Sequence, residues 1–199
     1  MIIKICGITN EGDAAKAVEL GAEWIGLNFF SGSPRCVDAA KAAEIRQSCG
    51  ARVAGVFVNE TAENIRRMAE SCRLDAVQLH GDEAPEFEDQ LEGIAVIKVF
   101  RVDAAFDFSQ LERTRARWIL LDHRVDGLYG GTGRSFDWSL ANGLGQRIWL
   151  SGGLNPENVA AAVQTVAPAG LDVCSGVESA PGIKDVEKMR RFIENARRQ

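Results

Sequence analysis

The amino-acid sequence predicts an α/β fold, a compact (βα)8 TIM barrel built as a single domain over residues 1–199. Three observations predict it. Eight short apolar runs recur along the chain, and amphipathic stretches lie between them. Parallel strands require crossover connections of this kind, and a closed barrel fits the count. The 199 residues divide into eight units of about 25 residues, at the short end of the range for such barrels.

Each predicted strand is rich in β-branched, aromatic or leucine residues and is too short to form a helix by itself. In chain order the runs are Ile2–Cys6, Trp24–Phe29, Val53–Val58, Ala76–His80, Ala95–Phe100, Trp118–Asp122, Ile148–Ser151 and Leu171–Cys174. An open doubly wound sheet is the alternative architecture. The turn after the first run reads Cys6-Gly7-Ile8-Thr9 rather than Gly-x-Gly-x-x-Gly, which favours the closed barrel.

The stretches between the strands predict helices from apolar spacing and from capping residues. Apolar residues recur at three- and four-residue spacing in Glu11–Leu20, Ala39–Ser48 and Ala62–Cys72, and Asn10, Asp38 and Thr61 precede them as N-caps. Asn155 followed by Pro156 predicts a further helix that begins at this point. The stretch Asp107–Arg115 has the weakest helical pattern, so a short helix is expected there.

Composition indicates an ordinary globular protein and argues against several classes of function. Hydrophobic residues make up 46% and charged residues 26%, with a net charge of −5. No basic run is longer than two residues, the C-terminal Arg197-Arg198 among them, so we expect no nucleic-acid partner. Five cysteines without a Cys-x-x-Cys pair, beside two histidines, predict neither a disulfide framework nor a metal site. No signal-peptide pattern or membrane-length apolar run is present, so we expect a cytoplasmic protein that does not bind membranes.

Three glycine-rich segments lie in the last third of the chain, and each follows an apolar run. They are Gly130-Gly131-Thr132-Gly133, Ser151-Gly152-Gly153-Leu154 and Ser175-Gly176-Val177-Glu178. A single break of this kind usually only marks a turn. Three in consecutive strand-to-helix connections indicate one phosphate held by backbone N–H groups. The ligand classes that this favours are sugar phosphates, nucleotides and related cofactors.

Two strand-end residues are candidates for proton transfer, because barrel sites form at the carboxyl ends of the strands. Cys6 ends the first run and is either a buried small hydrophobe or a nucleophile or general base, for which the pocket must favour thiolate. Asp122 ends the sixth run and is either a loop-capping group or a buried general acid. His123 is a competing proton donor, but strand alternation is expected to turn it away from the face that Asp122 uses.

Other polar residues of the predicted site have both structural and functional interpretations. Arg35 is either a solvated loop residue or binds a carboxylate through its planar guanidinium group. His80 either orients the substrate or satisfies a backbone group, and Lys98 either forms a Schiff base or a structural charge pair. If Cys6 points into the pocket, Lys4 lies one step deeper on the same face. Asp172 on the eighth strand is then its expected partner, since a lone ammonium in a barrel is costly.

The chain resembles the phosphoribosylanthranilate isomerase family over nearly its whole length. The motifs that carry the resemblance are Lys4-Ile5-Cys6-Gly7-Ile8-Thr9, Gly26-Leu27-Asn28-Phe29, Ser33-Pro34-Arg35, Gly55-Val56-Phe57-Val58-Asn59, Gln78-Leu79-His80-Gly81, Leu121-Asp122, Gly130-Gly131-Thr132-Gly133, Phe136-Asp137-Trp138, Gly152-Gly153-Leu154-Asn155-Pro156 and Asp172-Val173-Cys174-Ser175-Gly176-Val177-Glu178. Each is short, and their order at the strand ends makes the resemblance specific. Cys174 is one departure, because the family commonly has serine there.

The resemblance implies a cofactor-free Amadori rearrangement of N-(5-phosphoribosyl)anthranilate to 1-(2-carboxyphenylamino)-1-deoxyribulose 5-phosphate, a step of tryptophan biosynthesis. In the family's pattern Asp122 is the general acid that protonates the furanose ring oxygen, and Cys6 is the general base that removes the proton from ribose C2. Arg35 would bind the anthranilate carboxylate, with His80 and Asp172 as further substrate contacts. The phosphate would be bound by Gly131, Thr132, Gly133, Gly152, Gly153, Ser175 and Gly176.

Two other functions remain as alternatives at this point. One is an aldolase-like barrel that uses Lys98 as a Schiff-base lysine, and the other is a phosphate-binding barrel without catalysis. The presence of both Cys6 and Asp122 argues against the second, since a binding barrel needs only its phosphate turns. No apolar surface stripe is evident, so the chain is expected to be a monomer that binds a small phosphosugar.

Overall fold

The structure is a computed structural model that describes residues 1–123, 136–144 and 147–198. Its eight parallel strands are Ile2–Cys6 (β1), Trp24–Asn28 (β2), Arg52–Phe57 (β3), Ala76–Leu79 (β4), Val96–Val102 (β5), Trp118–His123 (β6), Ile148–Leu150 (β7) and Gly170–Val173 (β8). Each strand pairs with the next, and β8 pairs back with β1. The closed barrel is confirmed and the open sheet is wrong. Every strand begins and ends within two residues of its predicted bounds.

Helices cover the outside of the barrel. They are Glu11–Glu19 (α1), Ala39–Ser48 (α2), Ala62–Ser71 (α3), Val159–Val166 (α4) and Val186–Arg197 (α5). The first three confirm the predicted helices, and the predicted residues cap them. Asn10, Asp38 and Thr61 each accept a hydrogen bond from the backbone N–H three residues later. Within the described ranges no helix is long and apolar enough to cross a membrane.

The connections in the second half are less helical than the sequence predicts. Helix α4 begins at Val159 rather than directly after Asn155. The side chain of Asn155 accepts from the backbone N–H groups of Glu157 and Asn158, at 2.9 and 3.0 Å. It therefore caps a turn that leads into the helix. The weak stretch at Asp107–Arg115 is a 3₁₀ helix at Phe108–Glu112. Further 3₁₀ helices, which the sequence did not predict, lie at Pro85–Leu91, Trp138–Ala141 and Ser175–Val177.

Aromatic side chains fill the amino-terminal part of the barrel. Trp24 and Trp118 are the first residues of β2 and β6, and both contact Trp149 of β7. The ring centroids lie 5.3 to 5.7 Å apart, a range in which aromatic pairs stabilise one another. These rings fill the barrel at this end, and in barrels of this kind ligands bind at the carboxyl ends of the strands.

Candidate active site

A chain of buried polar side chains crosses the barrel above the tryptophans. Lys4 Nζ lies 2.7 Å from Asp172 Oδ1 and 2.9 Å from Gln78 Oε1. Gln78 Nε2 lies 3.1 Å from His80 Nδ1, and His80 Nε2 lies 3.2 Å from Asp122 Oδ2. All five residues are buried. The expected pairing of Lys4 with Asp172 is confirmed, and three of the five predicted catalytic and substrate-binding residues belong to one network.

Cys6 ends β1 beside Gly26 of β2, its partner in the strand register. A Cβ atom on Gly26 would lie 2.7 Å from Cys6 Sγ and 3.0 Å from Lys4 Nζ. The thiol and the ammonium group therefore both lie against the bare backbone of Gly26. This places the predicted base directly above the cationic end of the polar chain.

The surroundings of Cys6 favour its thiolate. A hydrogen bond from the Cys174 thiol and the charge of Lys4 lower the pKa of Cys6 from 9.0 to about 6, although burial acts in the opposite direction. The same contact with Cys6, together with burial, raises the pKa of Cys174 well above its usual value. Of the two neighbouring thiols, Cys6 is therefore the one that ionises more readily, and Cys174 is the one that more readily stays protonated. The sequence motif at Cys174 gave no sign of this partnership.

Asp122 has a hydrogen-bond partner at each carboxylate oxygen. Its Oδ2 faces His80, and its Oδ1 accepts from the backbone N–H of His123 at 2.8 Å. A Cβ atom on Gly152 would lie 2.8 Å from Oδ1, and Gly152 has a φ of +79°. The glycine after β7 thus has a left-handed backbone and closely approaches the predicted acid.

Arg35 belongs to an ion cluster that the sequence did not predict. Its Nε and Nη2 bond to Glu178 Oε1 and Oε2 at 2.8 and 2.6 Å, and this pairing raises the pKa of Arg35 further above its usual range. Lys184, which is fully buried, bonds to Glu178 Oε1 at 2.8 Å. Two cations therefore share one carboxylate, which leaves the cluster positively charged. Arg35 also crosses Gly7, where a Cβ atom would lie 2.6 Å from its Cδ, so the cluster adjoins Cys6.

Two of the three predicted phosphate turns lie side by side. The backbone of Gly176 packs against the carbonyl oxygen of Leu154, so closely that no Cβ atom fits there. Gly152 and Gly153 both have positive φ, and Ser175 begins the 3₁₀ helix that follows β8. These turns line one cleft with Asp122, Asp172 and Cys174. The third turn, with Gly131, Thr132 and Gly133, lies outside the described residues.

Lys98 is engaged in a buried charge pair. Its Nζ lies 2.7 Å from Glu83 Oε2, with both side chains less than a tenth exposed. The pair lines a separate cavity beside β5, which Arg101 and Phe106 also line. This arrangement corresponds to the structural interpretation of Lys98 and does not favour the Schiff-base alternative.

The sequence did not indicate a role at the site for four residues, which are Gln78, Glu178, Lys184 and Cys174. Gln78 is one alternation step before His80, so strand parity could have placed it in the barrel. Glu178 and Lys184 come together in an antiparallel hairpin, Glu178–Ala180 (β9) with Ile183–Lys184 (β10), which has no strong pattern of its own. Over the part of the chain that the structure describes, no cluster of three or more metal-ligating side chains occurs.

Comparison with known proteins gives a consistent result. A family model described as N-(5'phosphoribosyl)anthranilate (PRA) isomerase matches residues 3–195. An N-(5'-phosphoribosyl)anthranilate isomerase of Solibacter usitatus is 46% identical, over 99% of this chain and 98% of its own. The crystal structure of phosphoribosyl anthranilate isomerase from Thermotoga maritima matches with a TM-score of 0.92 and 41% identity, over 100% of both chains. A crystal structure of phosphoribosyl anthranilate isomerase in complex with reduced 1-(o-carboxyphenylamino)-1-deoxyribulose 5-phosphate matches over 100% of both chains at 40% identity and a TM-score of 0.89.

Proposed function

Since this chain belongs to the N-(5'-phosphoribosyl)anthranilate isomerase family, we propose that it catalyses the Amadori rearrangement of N-(5-phosphoribosyl)anthranilate in tryptophan biosynthesis. The substrate is a small phosphosugar, and the product is the 1-deoxyribulose 5-phosphate. The observation that carries the proposal is the chain of buried polar side chains that runs from Lys4, next to Cys6, to Asp122. Through buried hydrogen bonds it connects the strand that carries Cys6 with the strand that carries Asp122.

In the first step Asp122, in its protonated form, gives its proton to the furanose ring oxygen. The bond between that oxygen and C1 breaks, and the anthranilate nitrogen forms a Schiff base with C1. The carboxylate that remains on Asp122 is stabilised by hydrogen bonds at both of its oxygens, from His80 and from the backbone of His123. These donors are in place before the charge develops, which is the arrangement that lowers a barrier.

In the second step the Cys6 thiolate removes the proton from C2. The electron pair of that bond moves toward the Schiff base and gives an enolamine, which tautomerises to the ketone at C2. A pKa near 6 keeps Cys6 mostly ionised at neutral pH, so the base is ready without a further proton acceptor. The positive charge of Lys4 supports the thiolate from below.

The remaining site residues hold the substrate away from the reacting atoms. The turns with Gly152, Gly153, Ser175 and Gly176 bind the phosphate, and Gly131, Thr132 and Gly133 are proposed to complete that site. Arg35 binds the anthranilate carboxylate through Nη1, which its bonds to Glu178 do not use. Asp172 and His80 act chiefly through the polar chain. Binding energy from these remote groups positions the sugar between acid and base.

A fluorescence assay that follows consumption of phosphoribosylanthranilate tests the function directly. We expect turnover by the wild-type chain and a fall of at least about a hundredfold in Cys6→Ala. Cys36→Ala, which removes an exposed thiol, is the matched control and should retain activity. Complementation of a tryptophan auxotroph that lacks the isomerase gives the same test in cells. No turnover by the wild-type chain would refute the proposal.

Borohydride treatment in the presence of substrate separates this function from the aldolase-like alternative. We expect no adduct on Lys98, because its ammonium group is buried against Glu83. A trapped adduct would support the alternative instead. The monomeric state and the cytoplasmic location remain predictions. Light scattering tests the first, and it matters because one Thermotoga maritima relative is described as dimeric.

A further inference from the structure

Gln78 lies at the centre of the buried polar chain, with Lys4 on one side and His80 on the other. We propose that Gln78 is a positioning residue that fixes the tautomer of His80, with the proton on Nε2 facing Asp122. The catalytic consequence rests on the proposed function. The tautomer itself follows from the polarity of three hydrogen bonds.

The orientation of the Gln78 amide is determined by Lys4. An ammonium group has three donors and no acceptor, so the group that faces Lys4 Nζ at 2.9 Å must be the amide oxygen. Lys4 cannot turn away from it, because the side chain is fully buried and its ammonium is also bonded to Asp172 at 2.7 Å. The amino group of Gln78 therefore points toward His80.

The orientation of Gln78 in turn determines where His80 carries its proton. Gln78 Nε2 is a donor only, so His80 Nδ1, 3.1 Å away, must be the acceptor. The ring proton is then on Nε2, which donates to Asp122 Oδ2 at 3.2 Å. A doubly protonated ring would place one N–H against another inside the barrel. Hydrogen-bond polarity thus runs in one direction from Lys4 to Asp122.

This tautomer suits the proposed role of Asp122. With the proton on Nε2, His80 supports the carboxylate that Asp122 becomes after it has protonated the substrate. With the proton on Nδ1, a bare Nε2 lone pair would face Asp122 and compete with the furanose oxygen for its proton. Gln78 does not touch the reacting atoms in either case. It acts by keeping His80 a donor.

Nitrogen-15 NMR of the imidazole ring measures the tautomer directly. Protonated and unprotonated ring nitrogens have well-separated chemical shifts, and couplings to the ring carbon-bound protons assign each nitrogen. The chain has two histidines, so in an untagged protein the variant His123→Gln identifies the signals of His80. Near neutral pH we expect a protonated Nε2 and an unprotonated Nδ1. A protonated Nδ1 in the wild-type chain would overturn the proposal.

The variant Gln78→Glu reverses the polarity at one position with little change in size. Its carboxylate still accepts from Lys4 but can only accept from His80, so the ring proton should appear on Nδ1. We expect kcat to fall at least about tenfold while KM changes by less than about threefold, since substrate contacts are preserved. Gln47→Glu, on the exposed face of α2, makes the same chemical change elsewhere and should leave both the spectrum and kcat unchanged.

The outcomes separate this proposal from the proposed function. An unchanged His80 spectrum in Gln78→Glu would overturn the control by Gln78, and a shifted spectrum with unchanged kcat would overturn the positioning role. If Gln78→Glu does not fold, the wild-type spectrum still decides the tautomer. If the wild-type chain does not turn over phosphoribosylanthranilate, the proposed function and the positioning role fail together, while the spectrum decides the tautomer independently.

Discussion

The thiol of Cys174 should control the reactivity of Cys6, and the variant Cys174→Ala tests this. A hydrogen bond from Cys174 is the largest single cause of the lowered pKa of Cys6, ahead of the charge of Lys4. Alanine removes the donor and leaves the backbone of the phosphate turn in place. The pKa of Cys6 should therefore rise from about 6 toward its ordinary value of 9.0.

The size of the effect follows from the fraction of thiolate at pH 7. A pKa of about 6 leaves about nine-tenths of Cys6 ionised, whereas the ordinary value of 9.0 leaves about one-hundredth. Complete loss of the effect would thus lower kcat/KM about ninetyfold at pH 7. Because Lys4 still favours the thiolate, we expect a fall of at least about threefold that stays below this limit. Near pH 9.5 both proteins are mostly ionised, so the difference should shrink to within about twofold.

The assay is the pH dependence of kcat/KM together with that of alkylation by iodoacetamide. Trypsin releases Cys6 in the peptide 5–16, apart from the other four cysteines, so mass spectrometry reports this thiol alone. Cys174→Ser is the matched control, since its hydroxyl still donates and the family commonly has serine there. The midpoint for Cys6 should stay near 6 in the serine variant and rise in the alanine variant. Equal midpoints in wild type and Cys174→Ala would refute the reasoning.

Three further predictions concern single contacts of the site. Asp122→Asn keeps the shape of the side chain but removes the acid, and kcat in the fluorescence assay should fall at least about a hundredfold; a loss below tenfold would contradict its role. Arg35→Met should raise KM more than it lowers kcat, because Arg35 is proposed to bind the substrate away from the reacting atoms. Its removal leaves Glu178 paired with Lys184, so the site should stay intact. An unchanged KM would exclude Arg35 from substrate binding. Gly26→Ala places a methyl group 2.7 Å from Cys6 Sγ, so kcat should fall while circular dichroism shows an intact fold; full activity would show that the thiol does not lie against Gly26.

The barrel could be predicted from the sequence because its strands are buried on both faces and stand out as continuous apolar runs. The helices α1 to α3 could be predicted equally well, since each has a polar N-cap and buried residues spaced three or four apart. The later connections were not. Asn155 and Pro156 have the features of a helix start, yet Asn155 caps a turn and α4 begins at Val159. Capping preferences describe only the local sequence. They therefore do not predict the extra turn that this loop makes, beside the cleft, before the helix begins.

The residues of the site likewise divide into those that the sequence could predict and those that it could not. Cys6 and Asp122 were predictable from their positions at strand ends, and the pairing of Lys4 with Asp172 followed from strand parity and the cost of a lone buried charge. The bond between Arg35 and Glu178 was not predictable, because neither residue lies on a barrel strand whose register would place it. Their contact depends on how the hairpin of β9 and β10 folds back over β1. The thiol pair of Cys6 and Cys174 follows from the same register as Lys4 and Asp172, two residues further along β1 and β8, although the sequence alone did not suggest that the two thiols interact.

A fully buried lysine is rarely kept for stability, because the cost of removing its charge from water offsets most of what a partner returns. The presence of Lys4 is explained by its effects on two neighbours, Cys6 and Gln78. Toward Cys6 its charge lowers the pKa of the thiol. Toward Gln78 its lack of any acceptor sets the direction of the bonds that end at Asp122. One buried cation would thus prepare the proposed base by charge and the proposed acid by hydrogen-bond polarity, and Asp172 holds it where both effects operate.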